Sequence, residues 1–221
     1  MKCKTQSLVK IFIFSTLITV CSTAKSQNNE FIVGSMLGFY GIHIEGDIDN
    51  IYSPSNGTIW GTGGISFGLN VKRYFSNHIY GALEMRYIRK GNTFEFINPY
   101  GLPSFVTIKL DYIEMPLLVG FKINLKKKYL LAETGIAYAR MISSKMEVSE
   151  FYGWDPAAEM NNFKKNDFSW VANIKYPIIR NEKLLLGFRF SYSLFSIHTT
   201  YKLYNMDYGI EIYYLFNRNE K

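Results

Sequence analysis

The stretch LLLGFRFSYSL, residues 184–194, sends Leu184, Leu186, Phe188, Phe190, Tyr192 and Leu194 to one side of an extended chain. Gly187, Arg189, Ser191 and Ser193 go to the other. Strict period-two alternation is the signature of a strand with one apolar and one polar face. A helix would scatter these residues around its axis, because successive side chains on a helix turn by about 100°.

Working outward, the same alternation recurs. In 64–73, Ile65, Phe67, Leu69 and Val71 oppose Gly64, Ser66, Gly68, Asn70 and Lys72. In 79–90, Ile79, Leu83, Met85 and Tyr87 oppose Tyr80, Ala82, Glu84 and Arg86. In 110–124, Ile113, Met115, Leu117, Val119, Phe121 and Ile123 oppose Tyr112, Glu114, Gly120 and Lys122. In 130–140, Leu130, Ala132, Ile136 and Tyr138 oppose Glu133, Gly135 and Ala137. In 167–176, Phe168, Trp170, Ala172, Ile174 and Tyr176 oppose Ser169, Asn173 and Lys175. In the last segment, Tyr208, Ile210, Ile212, Tyr214 and Phe216 oppose Gly209, Glu211 and Tyr213. The glycine-punctuated run from Phe31 to Ile44, whose faces periodicity does not separate, completes eight strands.

The connections follow a rhythm. Those at 46–58, 91–106, 142–166 and 197–205 are expected to be long, and those at 76–78, 125–128 and 177–183 short. Short turns at one end and longer loops at the other are the habit of transmembrane barrels. The fold predicted is all-β, an eight-stranded antiparallel transmembrane up-and-down β-barrel. Seventeen tyrosines and 17 phenylalanines with a mean hydropathy near zero fit it, because such barrels dilute lipid-facing residues with polar lumen residues and gather aromatics at the interfaces.

The first 26 residues read as an export signal. Lys2, Lys4 and Lys10 make a positive start, Leu8 to Val20 an apolar core, and Ala24-Lys25-Ser26 a small-x-small cleavage site. The mature chain is expected to start at Gln27 and to reach the outer membrane. The apolar core falls short of the roughly 20 residues a helix needs to span a bilayer. Removing Lys2, Lys4, Lys10 and Lys25 from the 25 basic residues leaves 21 against 18 acids, so the +7 formal charge falls to +3. With that small excess, and only Lys126-Lys127-Lys128 and Lys164-Lys165 clustered, no nucleic-acid stripe is expected. Cys3 and Cys21 both lie in the signal, so the mature chain has no thiol for a disulfide or metal site.

The polar faces carry Glu84, Glu114, Glu133 and Glu211 against Arg86, Lys122, Lys175 and Arg189, and the apolar faces as quoted carry no charge. The interior of eight strands is just wide enough to be filled by side chains, and buried charges must be paired. An interior salt-bridge network and no wide channel are expected. A soluble lipocalin-like ligand-binding barrel would use the same alternation with the faces exchanged. The loop rhythm and the long aromatic-ended apolar faces favour the membrane form.

Three stretches resemble the porin-family, PorT-like outer-membrane β-barrel proteins, of the OmpX/OmpA eight-stranded kind. They are Ile65 to Gly91, with its Glu-x-x-Tyr and Lys-Gly pattern, Leu110 to Phe121 (LDYIEMPLLVGF), and Asp167 to Ile197, ending in RFSYSLFSI. In the last, Phe190 stands where the family pattern has tyrosine, and the glycine is missing. The resemblance implies an outer-membrane barrel and transfers no catalytic residue. PorT-like members are associated with a secretion system.

Chemistry is weighed at four places. His198, beside Ser196, Thr199 and Thr200, is the histidine at the expected external end. It lacks the His-x-Ser pattern of lipid A deacylases, and His43 and His78 are less suitably placed. Asp47, Asp49 and Asn50 could form a calcium loop or an ordinary turn. The four glutamates could pair as in a glycosidase, but their balance with four cations favours structure. Phe151, Tyr152, Trp154 and Phe163, in the expected 142–166 loop, are candidate contacts for a partner protein or glycan, with membership of the interfacial aromatic belt as the alternative for Tyr152 and Trp154. The expectation is a non-catalytic outer-membrane barrel without cofactor or metal. Its partners would be membrane lipid and other envelope proteins, in an envelope-structural, surface-contact or secretion-assembly role. The alternatives are a passive small-solute porin, the lipocalin-like barrel, and a lipid A-modifying enzyme.

Overall fold

The structure, a computed structural model, describes residues 31–47, 58–97, 103–126, 128–148, 161–179 and 183–216. The expected signal, together with Asp49, Asn50, Phe151, Tyr152 and Trp154, lies outside them.

Eight strands follow in chain order: β1 (Phe31–Gly46), β2 (Thr58–Tyr74), β3 (Ile79–Ile97), β4 (Pro103–Asn124), β5 (Tyr129–Val148), β6 (Asn166–Pro177), β7 (Leu184–Ser193) and β8 (Leu203–Leu215). Each pairs antiparallel with its sequence neighbours, and β8 returns to β1 in the register Phe39↔Ile210, closing the barrel. Closure leaves no unpaired edge, the condition for strands to cross a membrane.

Which face points inward settles the choice left open by alternation. Phe39 is 61% exposed and Ile136 58%, whereas Arg189 and Glu114 are fully buried. A soluble barrel would show the opposite. On β4 the outward apolar row runs from Ile113 to Ile123, about 33 Å of strand at roughly 3.3 Å per residue. At a tilt near 40° this spans about 25 Å, the height of an apolar membrane band. On β1, whose faces the sequence left unassigned, Met36, Tyr40, Ile42 and Ile44 point inward.

Two expectations need correction. The connection expected at 91–106 shrinks to 98–102, because β3 and β4 continue pairing through Thr93↔Thr107 and Phe94↔Val106. β5 likewise runs on to Val148. A bulge hides this continuation: Asp111 pairs Ser143 but Tyr112 pairs Met141, leaving Ile142 extra and 58% exposed. One extra residue switches which positions face inward, so the alternation breaks after Arg140. The outward faces are also not free of charge at their ends. Arg89 and Asp111 both point outward and pair with each other at 2.7 Å, just beyond Tyr87 and Ile113.

At the end of β1, Gly46 has φ +122°, and a Cβ there would run into the Lys202 carbonyl. Gly46→Ala should therefore lower unfolding stability by about 1–3 kcal/mol, measured by urea titration of the barrel in lipid vesicles. An unchanged midpoint would show that the turn relaxes freely.

Candidate functional site

The interior is layered. At the end of the short turns, Met36, Tyr80, Leu118, Tyr129, Leu131, Val171, Leu185, Tyr213 and Leu215 form an apolar cluster. At the other end, Ile44, Ile88, Phe94, Val106, Ile108, Leu110, Phe163, Ile197 and Leu203 form a second. Charged side chains fill the space between. The interior is thus not uniformly polar, as the expectation of a polar inward face had it.

The ionic layer is continuous. Lys72 lies 3.7 Å from Glu133, and Lys175 bridges Glu133 at 2.6 Å and Glu84 at 3.1 Å. Arg189 spans Glu84 and Glu114, each at 2.8 Å. Arg86 reaches Glu114 at 3.0 Å and Glu211 at 2.7 Å. Lys90 then joins Glu114 at 3.2 Å, Asp207 at 3.1 Å and Asp167 at 3.8 Å. Tyrosines complete the cage: Tyr80 donates to Glu133 at 2.8 Å, and Tyr40 and Tyr213 both donate to Glu211. All eight strands contribute a member.

Small residues make room for these long side chains. In the strand registers Gly68 faces Arg86, Gly187 faces Lys175 and Glu211, Gly209 faces Arg189, and Gly120 faces Tyr80 and Glu133. A Cβ on Gly120 would collide with the Tyr80 ring. The narrow lumen of an eight-stranded barrel thus explains why large and absent side chains alternate around it.

Of the eight charges named from the sequence, the structure brings seven together: Glu84, Arg86, Glu114, Glu133, Lys175, Arg189 and Glu211. Lys122 is a correction. It sits half-buried near the end of β4, its ammonium 4.4 Å from the centre of the Tyr129 ring, below the apolar cluster that separates it from the ionic layer. Lys72, Lys90, Asp167 and Asp207 join them, uncounted among the eight. Lys72 already stands on the polar face of 64–73, and Lys90, Asp167 and Asp207 lie at even steps from Arg86, Lys175 and Glu211, so the same alternation points to all four.

Phe163 is also a correction. It is 4% exposed and packs edge-on to His198 beneath the barrel mouth, paired to it by an isolated bridge. The Lys164 N–H donates to the Ile197 carbonyl and the Thr199 N–H to the Asn162 carbonyl, so 161–165 and 194–202 fold together across the mouth. His198 Nδ1 accepts from the Thr200 and Tyr201 N–H groups at 3.2 and 3.1 Å. Ser196 Oγ bonds backbone groups of His198, Tyr201 and Leu203. Both side chains shape the turn. His43 lies on the outward face of β1, and His78 is exposed in the β2–β3 turn. Asp47 accepts from the Lys202 N–H at 3.2 Å, a bond that ties the end of β1 to the segment entering β8. Among the described residues no group of three or more histidines, cysteines or carboxylates gathers to hold a metal.

Outside the barrel the ribbon of β3, β4 and β5 beyond the apolar band carries charge. Lys109 donates to Glu147 at 2.6 Å, and this hydrogen bond, with the ammonium charge, holds the Glu147 carboxyl below its ordinary range.

A closed antiparallel ring with an apolar outer band and a charged, buried interior is an outer-membrane β-barrel. The family model described as the outer membrane protein beta-barrel domain matches residues 24–199, and the chain belongs to that family. Among solved structures, OprG from Pseudomonas aeruginosa is similar at 10% identity, with a TM-score of 0.49 over 87% of this chain and 98% of its own. Ail, the attachment invasion locus protein of Yersinia pestis, is similar at 14% identity, with a TM-score of 0.43 over 85% and 99%. Neisserial surface protein A is similar at 14% identity, with a TM-score of 0.42 over 84% and 97%. No curated protein matches the sequence. The chain is an outer-membrane protein that resides in the lipid bilayer.

Proposed function

We propose that this protein is a sealed, non-catalytic scaffold of the outer membrane whose work is surface contact with other envelope proteins through its external ribbon. The observation that carries the reading is the filled lumen. Glu114 and Arg189 are wholly buried, Arg86 and Lys90 are 1% exposed, and apolar clusters lie at both ends. A porin needs a water-filled path, and the burial of these lumen side chains supports a filled interior instead. The β3–β4–β5 ribbon beyond the apolar band supplies what a contact protein needs, an exposed surface on a rigid support.

The test is electrical. The purified full chain in planar bilayers is expected to show no stable openings above the bare-membrane background, and its liposomes no swelling in sugars. Large, long-lived openings would replace this reading with the porin one. Heat-modifiable migration on gels confirms that the protein used is the folded barrel.

A further inference from the structure

The charges inside the barrel do not balance. Among the described residues the buried ones are six carboxylates, Glu84, Glu114, Glu133, Asp167, Asp207 and Glu211, against five bases, Lys72, Arg86, Lys90, Lys175 and Arg189. His198 above them adds no charge, because its Nδ1 accepts two backbone N–H groups and so carries no proton. One negative charge is left over in an interior where an uncompensated charge is costly.

The pairings show where it sits. Glu84, Glu114 and Glu133 each meet two or more bases. Glu211 meets Arg86 and takes two tyrosine hydroxyls. Asp167 has Lys90 at 3.8 Å as its base, and Asp207 has the same Lys90 at 3.1 Å and Arg86 at 4.0 Å. Glu114 shares that lysine too, at 3.2 Å. The deficit therefore falls on Asp167 and Asp207.

The wall around these two carries oxygen atoms in need of a partner. Asp167 and Ser169 on β6, Ser191 and Ser193 on β7, and Asn205 and Asp207 on β8 all point inward. The registers set Ser169 against Ser193 and Ser191 against Asp207. The Ser193 hydroxyl and the Asn205 side-chain amide donate to Asp167 Oδ2 at 3.0 and 2.9 Å. Asp167 Oδ1, Ser169 Oγ, Ser191 Oγ, Asn205 Oδ1 and Asp207 Oδ1 form no hydrogen bond with any described residue, and none of these side chains belongs to a residue more than 2% exposed. Buried polar atoms are nearly always bonded, so five such oxygens on adjoining strands, beside an unanswered charge, mark a site. Oxygen donors suit a hard cation, and a leftover charge of one selects a monovalent cation.

We propose that Asp167, Ser191, Asn205 and Asp207 hold one alkali-metal cation, sodium or potassium, inside the barrel. The cluster of Ile44, Phe163, Ile197 and Leu203 closes the mouth above it. The site lies in the filled lumen proposed above, and the failure of that reading would show in the bilayer recordings rather than in the titration that follows.

The experiment follows urea unfolding of the full chain in zwitterionic lipid vesicles, with sodium or potassium chloride replaced stepwise by choline chloride at constant total salt. Choline is too large for a lumen filled by side chains. An ion that binds only the folded chain stabilises it with the logarithm of its concentration, so each tenfold rise above the dissociation constant should lower the unfolded-to-folded ratio about tenfold. Asp167→Asn removes the extra charge and should flatten that dependence. Glu45→Gln, outward on β1, should keep it. A parent chain indifferent to the exchange of both alkali cations for choline would overturn the proposal, as would an unchanged slope in Asp167→Asn. So would a stronger response to calcium than to either alkali cation, which would mean a divalent site. Heat-modifiable migration reports folding. If Asp167→Asn does not fold, Ser191→Ala replaces it and should need about tenfold more cation for the same stabilisation; an unchanged requirement there overturns the site.

Discussion

Arg86→Met is expected to lower the unfolding free energy of the barrel in lipid vesicles by about 3–5 kcal/mol, read from the urea midpoint. Arg86 is buried and satisfies Glu114 and Glu211, and its second Nη lies 4.0 Å from Asp207. Methionine fills much of its volume, so the loss is not mainly a cavity. It comes from carboxylates left in a dry lumen without their counter-charge, since removing one partner of a buried ion pair strands the other. Adding Glu211→Gln to the Arg86→Met chain should recover part of the loss, because it removes one stranded charge. If Arg86→Met left the midpoint unchanged, the layer would be hydrated and the filled-lumen reading would fail with it.

The second large effect lies on the other face. Leu117 sits near the middle of the outward row between Ile113 and Ile123 and is 46% exposed to what is the lipid. Leu117→Arg should cost about 2–4 kcal/mol, the range for a cation at the midplane on a barrel's lipid face. Ile123→Arg, at the end of the same row, should cost no more than about 1 kcal/mol, since the penalty fades toward the interfaces. The contrast between the two positions is the test. Equal costs at both would mean that the row does not span a bilayer. In a soluble barrel neither substitution would cost more than about 0.5 kcal/mol.

How far the sequence carries depends on the range of the interaction concerned. Leu184 to Leu194 alternates because consecutive side chains on a strand point to opposite sides, and that local fact needs no partner. It was enough to sort Glu84, Glu114, Glu133 and Arg189 onto one face and Ile113 to Ile123 onto the other. It failed where a local rule is broken by a neighbour. The bulge at Ile142 exists because β5 must keep pace with β4, and it switched the inward positions and made the continuation to Val148 look like loop. Phe163 read as an exposed loop aromatic because nothing near it in the chain says that His198 lies underneath.

Period two therefore determined, from the chain alone, the two faces of seven strands and which residues share each, while the faces of β1 waited for the structure. Tertiary structure decided which face turns inward, how Lys72, Lys90, Asp167 and Asp207 join the ionic layer, and why Lys122 stays out of it. The physical reason is closure. Faces follow from bonds between adjacent residues, whereas partners such as Arg86 and Glu211 lie on β3 and β8, and only the β8–β1 seam brings them across the lumen from each other.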